Sequence, residues 1–146
     1  MFIGFPCGHA FGFPTKFESF RRDCILAIKE SSSPEFPIRL SQLAKKMKLN
    51  SPTVIEILKR LELKGLLKRE SGMIVLTDSG LSYYSYLLNC HRILETIFVD
   101  SGIDIEKACK EVSSFDFMLD KDSLLKLSNF VGKPKACPHG KPINIR

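Results

Sequence analysis

The segment "NCHRILE", Asn89 to Glu95, carries an imidazole and a carboxylate four residues apart, His91 and Glu95. On a helix that spacing stacks them one turn apart on one face. An imidazole beside a carboxylate suits a divalent transition metal. An ordinary surface pair has the same spacing, so the pair alone leaves both readings open. Two tighter pairs add nitrogen and sulfur donors: Cys7 with His9 in "PCGH", and Cys137 with His139 in "CPHG". Together they can in principle close a four-ligand zinc site, although the spacing is tighter than in the usual zinc motifs. The plainer reading is a capped turn at "CPHG" and an unrelated N-terminal arm. Cys24, Cys90 and Cys109 bring the cysteines to five, an odd number at irregular spacing. That argues against a disulfide framework and for reduced thiols. Cys90 adjoins His91 and Cys24 adjoins Asp23, so a thiol near a metal could also serve as a redox sensor. No activated nucleophile, phosphate loop or acid/base pair stands out, and an enzyme is not expected.

The second chemistry is positive charge. The net charge is +6, and residues 36 to 70 alone hold nine Lys or Arg against three Glu, the same excess. A basic cluster on folded sequence suits phosphate contacts, although a merely solvated helix surface has the same composition. Within it, Val54, Ile57, Leu58 and Leu61 follow the i, i+3, i+4, i+7 pattern of a buried face. The residues left outward near the start of that helix are Ser51, Pro52, Thr53 and Glu56. Such positions on a recognition helix reach base edges: Ser and Thr bond phosphate or base, and Glu accepts from cytosine N4. Lys59, Arg60 and Arg69 would hold phosphates without reading sequence. Double-stranded DNA is therefore the expected partner.

These residues need elements to position them. Phe17, Phe20, Cys24 and Ile28 suit an amphipathic helix from about Lys16 to Lys29, ended by "SSSPEFP". "FPIRL" is long enough for a small strand only. Leu40, Leu43, Ala44 and Met47 predict a second helix, with Ser41 able to cap it. Asn50 or Ser51 can cap the third, with Pro52 in its first turn and Lys64-Gly65 at its end. Two apolar-rich runs flank Ser71-Gly72, a plausible hairpin turn. Helix, helix, tight turn, helix, hairpin is the order of a winged helix-turn-helix. A long helix follows from Thr77 or Asp78 to Asp100, its first turn weakened by Gly80. Further helices are expected over about Asp104–Met118 and Asp120–Phe130. Residues 1–16 hold three Gly and two Pro, and six of the eleven Phe lie within the first 20 positions, so they read as an irregular arm. The expected domains are the arm 1–16, a winged unit 17–78 and a helical unit 79–146. The fold class is mainly α.

Apolar residues make up 44% of the 146, enough for a core. No apolar run reaches the ~18 residues of a membrane span, and no secretory signal is evident, so no membrane association and a cytoplasmic location are expected.

The succession "LAKKMKLNSPTVIEILKRLELKGLL", "LTDSG", "HRILE" and "CPHGKPI" resembles the diphtheria-toxin-repressor family over about residues 20 to 143. The helix-turn-helix part is shared with many regulators; the last two segments are much more specific. The resemblance implies iron- or manganese-dependent transcriptional repressors that act as homodimers on palindromic operators. It implies a winged helix followed by a helical dimerisation and metal-binding domain, here in the short branch without an SH3-like domain. It makes His91 and Glu95 metal ligands. It adds Cys109, where the iron branch has His, Asp116, where a Glu is usual, and Asp23, where the manganese branch has Asp. Ser113 and Phe117 stand at two further ligand positions: Ser is a poor ligand and Phe cannot ligate. Positions 109, 113 and 116 are expected on one helix face. Fe(II) or Mn(II) is the expected cofactor, with Zn(II), Co(II) or Ni(II) possible, and a thiolate leans away from manganese. The alternative is a metal-independent or thiol-responsive winged-helix regulator with a degenerate metal site.

Overall fold

The computed structural model describes residues 16–145. The N-terminal arm, with Cys7 and His9, lies outside them. The first helix, α1, runs Lys16–Ser31, and its inward Cys24, Ile25, Ala27 and Ile28 are buried. A two-residue strand β1 (Ile38–Arg39) leads straight into α2 (Leu40–Met47). Ser41 therefore sits inside α2 rather than capping it. Gln42 does the closing, its Oε1 accepting the Arg39 N–H at 2.9 Å.

Asn50 caps α3 (Ser51–Leu63): its Oδ1 accepts the Thr53 N–H at 2.9 Å, with Pro52 in the first turn where no donor is missed. Val54, Ile57, Leu58 and Leu61 are buried, each stabilising by about 1.5–3 kcal/mol. The hairpin β2 (Leu67–Glu70) and β3 (Met73–Leu76) turns at Ser71 and Gly72, both at positive φ (50° and 77°). Two positive φ values give the turn whose twist matches that of the strands it joins. β1 pairs antiparallel with β3, giving the order β1-β3-β2 with Ile38 opposite Ile74 and Leu67 opposite Leu76.

Thr77 caps the long α4 (Asp78–Asp100) through the Gly80 N–H at 3.1 Å. Gly80 lowers helix propensity, but the wing requires it. A Cβ there would stand 1.9 Å from the Leu66 carbonyl oxygen, so only glycine lets α4 start against the strand entry. Two cores share α4. The first joins the buried faces of α1, α2, α3 and the wing to Leu87 and Phe117. The second joins Cys90 and Ile93 to Leu124, Cys137 and Ile143.

The helix expected to reach Met118 stops early. α5 spans Ile105–Val112, and a separate 3-10 turn covers Asp116–Met118. Two serines explain the break. Ser113 Oγ bonds the Cys109 carbonyl at 2.8 Å and Ser114 Oγ bonds the Glu111 carbonyl at 2.6 Å, competing with the backbone. Positions 109, 113 and 116 are thus not one helical face. Asp120 caps α6 (Lys121–Phe130) by accepting the Ser123 N–H at 2.7 Å. No helix among the described residues is long and apolar enough to cross a membrane.

Candidate metal centre and nucleic-acid interface

Glu95 is the centre of the site. Its side chain is only 2% exposed, yet no Lys or Arg pairs with it among the described residues. Instead each carboxylate oxygen faces an imidazole. His91 Nε2 lies 3.3 Å from Oε2, and His139 Nδ1 lies 2.5 Å from Oε1. Cys109 Sγ stands 3.5 Å from His91 Nε2. Two triads result, His91-Glu95-Cys109 and Glu95-Cys137-His139, the ligand atoms of each lying within 4.8 Å of one another.

Three pieces of chain bring these donors together. α4 supplies His91 and Glu95 at the one-turn spacing read from the sequence. α5 supplies Cys109. The segment after α6 supplies Cys137 and His139 on a tight turn, where Cys137 N–H donates to the Lys141 carbonyl at 2.9 Å and Gly140 N–H to the Cys137 carbonyl at 2.8 Å. A bridge between Ala136 and Pro142 closes that turn. Asn89 on α4 fastens the segment, donating to the Asn144 carbonyl at 2.9 Å and accepting its N–H at 3.2 Å. Arg92 donates to the Pro142 carbonyl.

The donor set fits a transition metal. It offers imidazole nitrogen, thiol sulfur and one buried carboxylate that no Lys or Arg among the described residues neutralises. The Cys109 thiol is pushed up, by burial first and then by the neighbouring Glu95, Glu106 and Cys137. Such surroundings favour a neutral thiol until a cation arrives.

Asp116 takes a different place from the one expected of a ligand. It is buried beside the other nitrogen of His91, with Oδ2 2.9 Å from Nδ1, and both its oxygens are held by Arg22. A carboxylate there orients the imidazole so that Nε2 faces Glu95 and Cys109. Asp23 stands outside both triads. Its carboxylate is half-exposed and pairs with Arg22 at 3.1 Å, because α1 turns Arg22 rather than Asp23 towards the 3-10 turn. Ser113 is spent on the backbone of α5, and Phe117 packs into the first core. Cys137 and His139 were singled out in the sequence, but with Cys7 and His9 as partners; their partner here is Glu95. Cys24 and Cys90 are buried thiols, each pushed up to about 12 chiefly by burial.

The other candidate surface is α3 with the wing. Ser51, Pro52, Glu56, Lys59, Arg60 and Arg69 are exposed and Thr53 is half-buried. Arg60 lies over the Phe17 ring at 4.3 Å and 3.4 Å from Glu56. Arg69 forks onto Glu62 at 2.8 and 3.2 Å, which holds the Glu62 carboxyl below its usual range and ties the wing to α3. Arg60 and Arg69 must exchange these partners if they are to hold phosphates.

Known proteins give the arrangement its context. Residues 77–145 match the family model for the metal-binding and dimerisation domain of iron-dependent repressors, and residues 35–72 match the MarR family model. The fold agrees with solved metal-dependent repressors, among them ScaR with bound Zn2+, at TM-score 0.74 and 28% identity over 84% of this chain and 58% of that one. The chain belongs to the diphtheria-toxin-repressor family. Other members of its neighbourhood include the hypothetical protein SSo2273 from Sulfolobus solfataricus, at TM-score 0.74 and 31% identity, covering 88% of this chain and 96% of that one. An uncharacterized HTH-type transcriptional regulator of Aeropyrum pernix is 33% identical over 108 residues, 72% of this chain and 59% of that protein. The chain spans about half the length of the curated relatives it matches, between 47% and 59%. Diphtheria-toxin-repressor proteins are transcriptional repressors, not enzymes.

Proposed function

We propose that this family member is a metal-responsive repressor that binds double-stranded DNA as a homodimer, through α3 and the wing of each protomer. The observation that carries the reading is Glu95: a buried carboxylate with an imidazole at each oxygen and cysteines at hand, and no Lys or Arg paired with it among the described residues. A bound divalent metal would supply the missing positive charge and hold α4, α5 and the C-terminal turn in one arrangement. His91, Glu95 and Cys109 would hold it, or Glu95, Cys137 and His139 on the other side of the same carboxylate. With sulfur and imidazole donors the set favours Fe(II), Co(II) or Zn(II) over Mn(II). On the DNA side Ser51, Pro52, Thr53 and Glu56 would meet base edges, and Lys59, Arg60 and Arg69 the phosphates. The family model's dimerisation function supports paired recognition helices on a two-fold operator. The family resemblance also supports the division into a winged unit over 17–78 and a helical unit over 79–146.

Metal acts here by population shift: it favours whichever arrangement it binds better, and DNA binding is linked to the same arrangement. The test is operator affinity of chelator-stripped protein with Fe(II), Co(II), Zn(II) and Mn(II) added singly without oxygen. A gain of ~10-fold or more, about 1.4 kcal/mol of coupling, is expected from one of the first three. Specific binding that no metal changes would favour the metal-independent regulator instead.

A further inference from the structure

We propose that Arg22 is the positioning residue that couples the metal centre to the DNA-binding unit, through Asp116 and His91. The inference rests on the metal-responsive reading above and names how that site would reach the DNA. Arg22 lies on α1, beside the residues that anchor α1 in the first core. Asp116 lies 94 residues away on the 3-10 turn that follows α5. The two meet as a fork: Nε to Oδ1 at 2.9 Å and Nη2 to Oδ2 at 2.7 Å. The pair is shielded, with side-chain exposures of 13% and 1%. Asp116 Oδ2 also lies 2.9 Å from His91 Nδ1, and His91 Nε2 faces Glu95 and Cys109. From the proposed ligand residue to α1 there are thus two polar contacts.

The chemistry of this chain builds the link without a second metal. Two residues near Asp116 in sequence give it no help in holding a cation: Ser113 is bonded to its own helix and Phe117 is in the core. The cation it holds is a guanidinium, which stays charged and cannot be removed by a chelator. A metal held at Nε2 would fix the rotation of the His91 ring and would leave Nδ1 as the N–H facing Asp116. Asp116 in turn sets the fork of Arg22, and α1 packs directly against α2 and α3. Occupancy of the metal centre is thereby read at the root of the recognition helix, with metal on the Glu95 side only.

The test uses the full chain, Co(II) as the metal and a duplex selected from a random pool by the Co(II)-loaded wild type. Co(II) reports its own site through thiolate charge-transfer absorption, and DNA affinity is read by fluorescence anisotropy. Wild type is expected to gain ~10-fold or more in DNA affinity with Co(II). Arg22→Gln is expected to keep the Co(II) spectrum and bind Co(II) within ~3-fold of wild type, yet gain less than ~2-fold on DNA. Arg22→Lys keeps the charge without the fork and is expected to fall between; it decides the matter if Arg22→Gln does not fold, an unchanged gain counting against the proposal. An Arg22→Gln protein that gains as much as wild type overturns this inference alone, even if its melting temperature falls. One that loses the Co(II) spectrum also overturns it, since Arg22 would then build the site rather than transmit it. A wild type that selects no duplex, or gains nothing from metal, overturns the parent reading and this one with it.

Discussion

Glu95 separates a metal centre from a cluster of polar residues satisfying one another. If its charge exists to hold a cation, Glu95→Gln keeps the shape and removes the affinity. Competition with a chromophoric chelator is expected to show a loss beyond the ~10–100-fold typical of residues that only support a ligand. A loss no larger than that of Asn89→Ala would mean that Glu95 is not a ligand. The thiols divide in the same way. Cys24 and Cys90 are pushed up to about 12 by burial, so almost no thiolate exists at neutral pH. Iodoacetamide at pH 7.5 is expected to leave both unmodified in the native protein and to label both after denaturation, read by mass spectrometry. Labelling of native Cys24 or Cys90 would revive a thiol sensor at these positions. Single-residue chemistry was the least legible level of the sequence. His91 and Glu95 were visible because a helix relates them at fixed spacing. Cys137 and His139 join them from a distant turn, His139 lying 44 residues after Glu95, and no periodicity encodes that contact. Asp116 was visible as a carboxylate, but its partner Arg22 on α1 was not, because an ion pair across 94 residues leaves no local pattern.

At the scale of elements, the apolar spacing within α3 and the Ser71-Gly72 turn carried the winged unit, since both signals are local. The same reasoning overran α5. Its apolar pattern continues, but Ser113 and Ser114 draw hydrogen bonds back onto the helix and end it at Val112. That break frees the 3-10 turn to carry Asp116 towards α1. Gly80 reads locally as a defect in α4, whereas its role lies in the approach of the Leu66 carbonyl. Gly80→Ala must move backbone at the junction of wing and helix. A loss of about 1–3 kcal/mol or more is expected in chemical denaturation, the usual cost of overpacking, although alanine is the better helix former. A neutral or stabilised Gly80→Ala protein would contradict the packing at that junction.

For the whole molecule, the two cores share α4, so the proposed metal centre and the proposed DNA surface belong to one packed body. The proposed ligands come from α4, α5 and the turn after α6, which meet only in the folded chain. Metal at ~100 times its dissociation constant is therefore expected to stabilise the fold by about 2.7 kcal/mol, seen as a higher melting temperature that chelator reverses. The most direct measurement of the central claim is operator affinity of wild type and Glu95→Gln, each stripped and then loaded with Fe(II), Co(II) or Zn(II). The account predicts that metal raises wild-type affinity ~10-fold or more and leaves Glu95→Gln at the stripped level. Equal affinity of the wild type with and without metal, or an undiminished gain in Glu95→Gln, would contradict it.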